Sequence, residues 1–260
     1  MNRNLPETGF SMETVLYKEI NGIELFMDVY RPDERKTDAS LVLFFGGGWR
    51  VGERKALLPF AKIFSSMGMT VFLPDYRISS LHQSTPFDSV KDARSAMRFV
   101  KRNAERFGIS PARVGAGGGS AGGHIAFCTF YIDINEEGED TSITPDPVVL
   151  TQFNPVANTV SFRLPVNEAL FLGRDVDVSP HHHIRPNAPP TIIFHGSNDQ
   201  IVSLESIKQF RDKSLETGNR CELVVYEGQE HGFFHHNKNR EVFFDVISHM
   251  EKFIKSCNLL

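Results

Sequence analysis

Cysteine is scarce in this chain of 260 residues, which holds three: Cys128, Cys221 and Cys257. An odd number of widely spaced cysteines without a CxxC pair excludes a disulfide framework and a cysteine-based zinc site. We therefore interpret all three as free thiols with a structural role.

Long apolar runs and an excess of basic charge are also missing. The longest apolar runs, such as Leu41–Phe45 and Val148–Phe153, fall far short of the roughly 20 residues of a membrane-spanning helix. The net charge of −4 is opposite in sign to the basic patch typical of nucleic-acid-binding proteins. These absences argue against membrane and nucleic acid as partners.

The first ten residues, MNRNLPETGF, lack the apolar stretch of a signal peptide. The sequence thus predicts a cytoplasmic protein, or a periplasmic or secreted one if a leader has been removed. No feature requires an oligomer. No internal repeat or Pro/Gly/Ser linker divides the chain, so we predict a single domain over residues 1–260.

The order of apolar runs predicts an α/β fold. Thr14–Ile20 and Leu25–Tyr30 flank the turn pair Asn21-Gly22, which indicates an antiparallel hairpin at a sheet edge. Six further strands are predicted at Leu41–Phe45, Thr70–Pro74, Arg113–Ala116, Val148–Phe153, Thr191–His195 and Glu222–Tyr226. Helical patterns separate them at Leu57–Met67, Pro86–Phe107, Ser120–Phe130, Ser203–Glu216 and Glu241–Lys255.

Such alternation predicts a mostly parallel central sheet with helices on both faces. The longest excursion, residues 154 to 190, carries a short helix predicted at Asn167–Leu172. This excursion is long enough to cover an active site but too short to form a large cap domain, so we expect a minimal cap.

A glycine-rich turn follows the strand predicted at Arg113–Ala116. Residues Gly118 to Gly122 read G-x-S-x-G, with Ser120 at the centre and a predicted helix directly after it. Such a turn strains the serine backbone, lifts the hydroxyl above the sheet edge and places a helix N-terminus behind it. The context indicates that Ser120 is a nucleophile.

The same turn also matches G-x-G-x-x-G through Gly117, Gly119 and Gly122, a fingerprint of dinucleotide binding. That interpretation needs an acidic residue at the end of the next strand, about 20 residues on. The acids found there lie in a polar loop instead: Glu136, Glu137, Glu139 and Asp140. A nucleotide is therefore disfavoured and no cofactor is predicted. A turn without chemistry is the third interpretation.

A serine nucleophile needs a base, and the base needs a carboxylate that holds its tautomer. In this arrangement the acid and then the base follow the serine in the chain. Asp199 and His231 each come just after a predicted strand, at the carboxyl edge where Ser120 also lies. We predict Asp199 as the acid and His231 as the base. Asp175 and Asp177 are weaker candidates because they precede the strand.

The other histidines are interpreted as structural residues rather than as catalytic or metal-binding ones. The run from His181 to His183 lies in a Pro-flanked loop, and no H-E-x-x-H or comparable ligand spacing occurs, so no metal site is predicted. We expect His195 to brace the loop of Asp199. His124, one helical turn past Ser120, is expected to be packed in the core.

Donors for an oxyanion are expected from two places. One is the amide after the nucleophile, that of Ala121, and the others belong to a loop after an earlier strand. The glycines before Trp49, residues 46 to 48, form such a loop, since they let backbone N–H groups face a ligand. The alternative is a tight turn without a role in catalysis.

Five segments occur in the order found in lipases and esterases of the α/β-hydrolase superfamily: FGGGW at Phe45–Trp49, DYR at Asp75–Arg77, GGSAG at Gly118–Gly122, HGSND at His195–Asp199 and HGF at His231–Phe233. From about residue 14 to its end, the chain resembles compact acetyl esterases. These are similar to the feruloyl and acetyl xylan esterases of polysaccharide-degrading bacteria. The resemblance implies the α/β-hydrolase fold.

The resemblance also implies an oxyanion hole formed by Gly47, Gly48 and Ala121. One departure is Phe45, which stands where the family usually has a histidine and can brace the glycine loop only by packing. Trp49 is a candidate for substrate binding because its flat face suits a sugar. Packing within the loop is an equal alternative for this side chain.

The function implied is a serine carboxylic ester hydrolase of short acyl esters, acetyl esters first. The partner is then a small-molecule or carbohydrate ester. One alternative is a peptidase like the prolyl oligopeptidases, although the propeller domain typical of them is missing from the sequence. The other is a non-catalytic binding protein of the same fold, which would usually lack part of the Ser, Asp and His set.

Overall fold

The N-terminal edge of the sheet is a hairpin built around Asn21 and Gly22. In the computed structural model, which describes residues 4–162 and 170–260, both turn residues have positive φ angles, 52° and 76°. A tight two-residue turn needs this geometry. The turn joins β1 (Phe10–Ile20) to β2 (Ile23–Pro32) in antiparallel register. The predicted hairpin is confirmed, with both strands longer than expected.

The sheet has eight strands in the order β1-β2-β4-β3-β5-β6-β7-β8. Strands β2 and β4 are also antiparallel, whereas the pairs from β4 to β8 are parallel. This confirms a mostly parallel sheet with an antiparallel edge. The remaining strands are β3 (Ser40–Phe44), β4 (Thr70–Pro74), β5 (Val114–Gly119), β6 (Leu150–Phe153), β7 (Thr191–Gly196) and β8 (Cys221–Tyr226).

Helices cover both faces of this sheet. Their bounds are α1 (Leu58–Ser66), α2 (Ser79–His82), α3 (Pro86–Arg102), α4 (Ala104–Phe107), α5 (Ala121–Tyr131), α6 (Leu204–Glu216) and α7 (Arg240–Ser256). The buried side chains of α3, α5 and α6 form one apolar cluster with the sheet, and those of α1 and α7 form a second. The amphipathic helices thus bury their apolar sides against the sheet, whereas every residue of α5 is buried.

The helix predicted at Pro86–Phe107 is interrupted at Asn103. The side-chain amide of Asn103 donates to the carbonyl of Phe99 at 2.8 Å, so the side chain competes with the backbone for a helical acceptor. The helical pattern resumes for one turn in α4 and ends at Gly108, which has a φ of 63°.

Strand β5 continues through three glycines to Gly119, beyond the end predicted at Ala116. The extension occurs because the glycines pair with β3 on one side and β6 on the other. A Cβ on Gly122, in the first turn of α5, would collide with the carbonyls of Phe44 and Phe45. This close approach brings the end of β5 against the end of β3. After β3, the chain adds β4 on one side of it and then β5 on the other, so the order of strands reverses at this point. Ligands of open α/β sheets bind at such a point.

The excursion between β6 and β7 contains single 3-10 turns at Asp175–Val178 and Pro180–His183. Half of the short helix predicted at Asn167–Leu172, residues 167–169, lies outside the described residues. Within the described ranges, no helix has the length and apolarity to cross a membrane.

Candidate active site

Ser120 occupies the turn between β5 and α5. Its backbone has φ 53° and ψ −120°, a conformation that costs a non-glycine residue about 1–3 kcal/mol. The amide of Ser120 donates to the carbonyl of Phe153 at the end of β6, at 2.9 Å, which holds the turn in place. The strained strand-to-helix turn expected from G-x-S-x-G is therefore present.

His231 lies between Ser120 and Asp199. Its Nε2 is 3.0 Å from the Ser120 Oγ, and its Nδ1 is 2.7 Å from the Asp199 Oδ2. The other carboxylate oxygen of Asp199 accepts from the amides of Ile201 and Val202, both at 2.9 Å. The fold thus brings together the three side chains that the sequence placed at one sheet edge.

The Asp199 carboxylate is held in its charged form. Burial by itself raises its pKa, but the hydrogen bond from His231 and the two backbone amides outweigh burial, so the pKa lies below its usual value. An ionised Asp199 only accepts hydrogen bonds, so Nδ1 of His231 must carry the proton. The Nε2 lone pair then faces the Ser120 hydroxyl, as a general base requires.

His195 braces the loop of Asp199, as expected. Its ring is fully buried, and its Nε2 donates to the carbonyl of Val202 at 2.9 Å. The same nitrogen is 3.5 Å from the Asp199 Oδ2. Burial lowers the pKa of His195, so it braces the loop as a neutral ring.

The glycine loop after β3 faces the same cavity as Ser120. Gly47 has a φ of 135°, and a Cβ there would collide with the carbonyl of Val51, so only glycine fits. The cavity has a volume of about 420 Å³ and is lined by Gly46, Gly47, Gly48, Ala56, Gly119, Ser120, Asn154, Phe162, Ile201, His231, Gly232, Phe234 and His235. Ala121 is the first residue of α5, and amides in a first helical turn have no acceptor within the helix.

Phe45 braces this loop by packing. Its ring stacks on that of Tyr76 with centroids 4.2 Å apart, and the Tyr76 hydroxyl donates to the Phe45 carbonyl at 2.8 Å. Both side chains are buried. Tyr76 belongs to the DYR segment, so the role of that segment includes support of the glycine loop.

The structure corrects the prediction that Trp49 binds substrate. Its side chain is 1% exposed, and Nε1 donates to the Nδ1 of His124 at 3.2 Å. The rings of Phe162 and Phe171 contact it edge-on, with centroids 5.8 and 5.2 Å away. No face of the indole is left for a sugar, because the side chain folds under the loop rather than into the cavity.

His124 is fully buried, as expected, and its tautomer follows from its partners. Because Nδ1 accepts from Trp49, Nε2 carries the proton and donates to the carbonyl of Val178 at 2.6 Å. Burial lowers the pKa of His124 to about 4. The ring therefore stays neutral in the folded protein while a histidine of the unfolded chain takes up a proton.

This difference predicts a loss of stability in acid. Between about pH 6.5 and pH 4 the unfolded state holds the extra proton, so the free energy of unfolding falls as the pH falls, by about 3 kcal/mol from His124. His124→Gln keeps one acceptor and one donor but cannot titrate. Urea denaturation at pH 7 and pH 4 should show a smaller pH-dependent loss in this variant. The exposed His183→Gln is the control, and equal losses in all three proteins would contradict the prediction.

Asn154 is a residue of the site that sequence analysis missed. It follows β6 directly, is fully buried and has a positive φ of 37°. Its Oδ1 accepts from the amide of Gly232 at 2.9 Å, and its Nδ2 is 3.5 Å from the Nε2 of His231. The available signal was a polar residue just after an apolar strand, but an amide is neither an acid nor a base.

The acidic loop that contains Glu136, which nucleotide binding would have required at a strand end, forms ion pairs instead. Glu136 lies 2.9 Å from the Lys18 Nζ and 2.6 Å from the Arg77 Nη2, and the buried Asp92 pairs with the same two cations. The run from His181 to His183 is not part of the cavity lining. Within residues 4–162 and 170–260, no group of three or more His, Cys, Asp or Glu side chains is placed to hold a metal ion.

Two protein families match parts of the chain. The family BD-FAE matches residues 27–149, and the prolyl oligopeptidase family matches residues 173–257. The first match contains the glycine loop and Ser120, and the second contains Asp199 and His231. The two matches together cover every residue predicted to act in catalysis.

Esterase 2 of Thermogutta terrifontis is similar over nearly the whole chain. Its structure phosphoramylated by tabun has a TM-score of 0.88 and 34% identity, covering 98% of this chain and 96% of that one. Its propionate-bound structure has a TM-score of 0.87 and 35% identity, with 96% of both chains covered. Another structure of the same esterase is bound to butyrate.

Curated relatives are more distant. The probable isoprenylcysteine alpha-carbonyl methylesterase ICMEL1 of Arabidopsis thaliana is 27% identical over 229 residues, 79% of this chain and 48% of its own length. Endo-1,4-beta-xylanase B of Butyrivibrio fibrisolvens is 27% identical over 187 residues, 67% of this chain and 29% of its own length. This chain spans about half the length of the methylesterase.

The fold, the order of motifs and the likeness to Thermogutta esterase 2 agree. An identity of 34% across 96% of that esterase goes well beyond a shared topology. The chain belongs to the carboxylic ester hydrolases of the α/β-hydrolase fold.

Proposed function

We propose that the chain hydrolyses short-chain carboxylic esters with Ser120 as nucleophile, His231 as general base and Asp199 as the acid that orients it. The observation that carries this proposal is the chain of hydrogen bonds from the Ser120 Oγ through His231 to Asp199. Ser120 and His231 line the cavity, while Asp199 is buried behind them.

Acylation follows from this geometry. The Ser120 hydroxyl gives its proton to Nε2 of His231 as Oγ bonds to the ester carbonyl carbon. The negative charge on the carbonyl oxygen is stabilised by the backbone amides of Gly47, Gly48 and Ala121. As the tetrahedral intermediate collapses, the proton on Nε2 passes to the alcohol oxygen, the carbon–oxygen bond breaks and the acyl group stays on Ser120.

Deacylation repeats the steps with water. His231 takes a proton from a water molecule, the resulting hydroxide attacks the acyl carbon, and the proton returns to the Ser120 Oγ as the acid leaves. Throughout, the Asp199 carboxylate holds the Nδ1 proton of His231 and stabilises the imidazolium. No other group is needed to balance the reaction.

The acyl group is proposed to be short. Support comes from Thermogutta esterase 2, whose structures hold propionate and butyrate. We expect kcat/KM for p-nitrophenyl esters to be highest between acetyl and butyryl and to be lower by about tenfold or more for octanoyl. A panel from acetate to octanoate measures this. A value that rises steadily up to octanoate would contradict a short-chain preference.

A carbohydrate is proposed as the alcohol. The match to a xylanase of Butyrivibrio supports this, as does a second cavity of about 470 Å³ that shares Phe162 and Ile201 with the first. Its other lining residues are largely polar and include Asn158, Ser161, Gln200 and Ser203. Release of acetate from acetylated xylan tests the proposal, with p-nitrophenyl acetate as the ester that needs no sugar.

A peptidase is the second candidate because residues 173–257 match the prolyl oligopeptidase family. The two activities separate on matched substrates that carry an ester or an amide at the same position. We expect turnover of p-nitrophenyl acetate and none of a prolyl p-nitroanilide. The reverse result would favour the peptidase.

A further inference from the structure

Asn154 follows Phe153, the last residue of β6, and these two neighbours contact the nucleophile turn and the loop of the base. The amide of Ser120 donates to the carbonyl of Phe153, and the amide of Gly232 donates to the Oδ1 of Asn154, both at 2.9 Å. Asn154 is itself held by β7, since its own amide donates to the Phe194 carbonyl at 2.8 Å. The positions of the hydroxyl and the imidazole therefore depend on two consecutive residues.

The orientation of the Asn154 side chain is determined by this contact. Because Oδ1 accepts from Gly232, the NH₂ group must point the other way, and Nδ2 lies 3.5 Å from the His231 Nε2. The side chain is fully buried, so water does not compete for either end. The imidazole thus faces an N–H donor beside the Ser120 hydroxyl.

The Asn154 N–H beside Nε2 of His231 restricts where the proton on Nε2 can go. Before the reaction, the Nε2 lone pair faces the Ser120 O–H at 3.0 Å and the Asn154 N–H at 3.5 Å. Once Nε2 is protonated, the Asn154 side chain offers it no acceptor, because its NH₂ group faces the ring and its oxygen faces the Gly232 amide. The proton can therefore pass only to a reacting oxygen. A carboxylate at position 154 would supply a competing acceptor.

We propose that Asn154 is a positioning residue of the ester hydrolase, an inference that rests on the proposed function of Ser120 and His231. Its carbonyl end anchors the His231 loop through Gly232. Its amide end keeps acceptors away from Nε2, so that the protonated imidazole is not trapped before it reaches the leaving oxygen.

Asn154→Asp separates these two roles. The variant keeps an oxygen for the Gly232 amide and replaces the NH₂ by a second carboxylate oxygen of the same size. We expect kcat to fall by about tenfold or more, because the imidazolium gains a charged partner. The acidic limb of the kcat/KM profile should move upward by about one pH unit.

The other groups that face His231 are unchanged in this variant. They are Asp199 and His195 from the β7 strand and its loop, together with His235 and Lys238 on the loop of His231 itself. A displaced acidic limb would therefore report the new carboxylate. Asn154→Ala, which removes both ends, should lower kcat by about tenfold without displacing the limb.

Asn219→Asp is the matched control. Asn219 is also buried, its Oδ1 accepts from the Ala188 amide at 3.0 Å and its Nδ2 donates to the Arg185 carbonyl at 2.9 Å. The change therefore has a similar structural cost at a place that does not contact His231. We expect Asn219→Asp to lower Tm but to keep the wild-type pH profile.

The measurement is kcat and KM for p-nitrophenyl acetate from pH 5 to pH 9, with Tm for each variant. If Asn154→Asp follows the wild-type profile with unchanged kcat, Asn154 is merely structural and the inference is wrong. If the wild type shows no turnover, or Ser120→Ala keeps it, the proposed function fails instead. The two failures are thus distinguishable.

Discussion

The variant Ser120→Ala is expected to lose turnover of p-nitrophenyl acetate, with kcat reduced by about 10⁴-fold or more. Without Oγ no acyl-enzyme can form, and His231 has only water to activate. The change removes a single hydroxyl whose hydrogen-bond partner is His231. Alanine tolerates the backbone at φ 53° no worse than serine does, so the protein should stay folded.

Labelling by a fluorophosphonate probe gives a second measurement of the same prediction. The wild type should react covalently and Ser120→Ala should not. Ser66→Ala is the control, since Ser66 is the last residue of α1 and its hydroxyl donates to the Ile63 carbonyl, at 2.8 Å. Retained turnover or labelling in Ser120→Ala would exclude Ser120 as the nucleophile. A wild type that does not label would favour a binding protein.

The second large effect is expected from Asp199→Asn, which should lower kcat by about 10³–10⁴-fold. The Oδ1 of Asp199 accepts from the amides of Ile201 and Val202, so the retained oxygen of an asparagine would stay with them. Its NH₂ group would then face Nδ1 of His231. That nitrogen must become an acceptor, and the proton moves to Nε2, where it blocks proton transfer from Ser120.

The measurement is kcat for p-nitrophenyl acetate at pH 8 together with Tm. Because the side chain of residue 199 still accepts from the amides of Ile201 and Val202, Tm should change little while kcat falls sharply. Asp212→Asn, at an exposed site on α6, controls for the loss of one negative charge. Activity within threefold of wild type in Asp199→Asn would show that Asp199 does not orient the base.

Local sequence signals were enough to predict three side chains that the fold brings into hydrogen-bond contact. Ser120, Asp199 and His231 each follow a strand that was recognisable as a short apolar run. In a parallel sheet the carboxyl ends of strands share one edge, so placing the strands also placed the three side chains. Asn154 also follows a strand, but its amide is uncharged and has no acid or base chemistry. The role proposed for Asn154 depends on two contacts, with residues 77 and 78 positions away in the chain.

Other features depended on particular side-chain contacts and could not be predicted. The break in the helix at Asn103 arises when its side chain competes for a backbone acceptor, which a periodic pattern does not reveal. Whether Trp49 faced the cavity or the core was equally open from the sequence. The partner that decided it, His124, lies 75 residues away on α5.

By itself, the sequence determined the α/β class and the antiparallel edge, and it predicted the serine, acid and base that we propose for catalysis. These follow from hydrophobic periodicity, turn chemistry and chain order, which are local properties. Only the tertiary structure decided the hydrogen-bond distances at Ser120, the burial of Trp49 and the orientation of the Asn154 amide. Each of these depends on which distant side chain fills the space beside it, and packing between elements settles that only when the chain is folded.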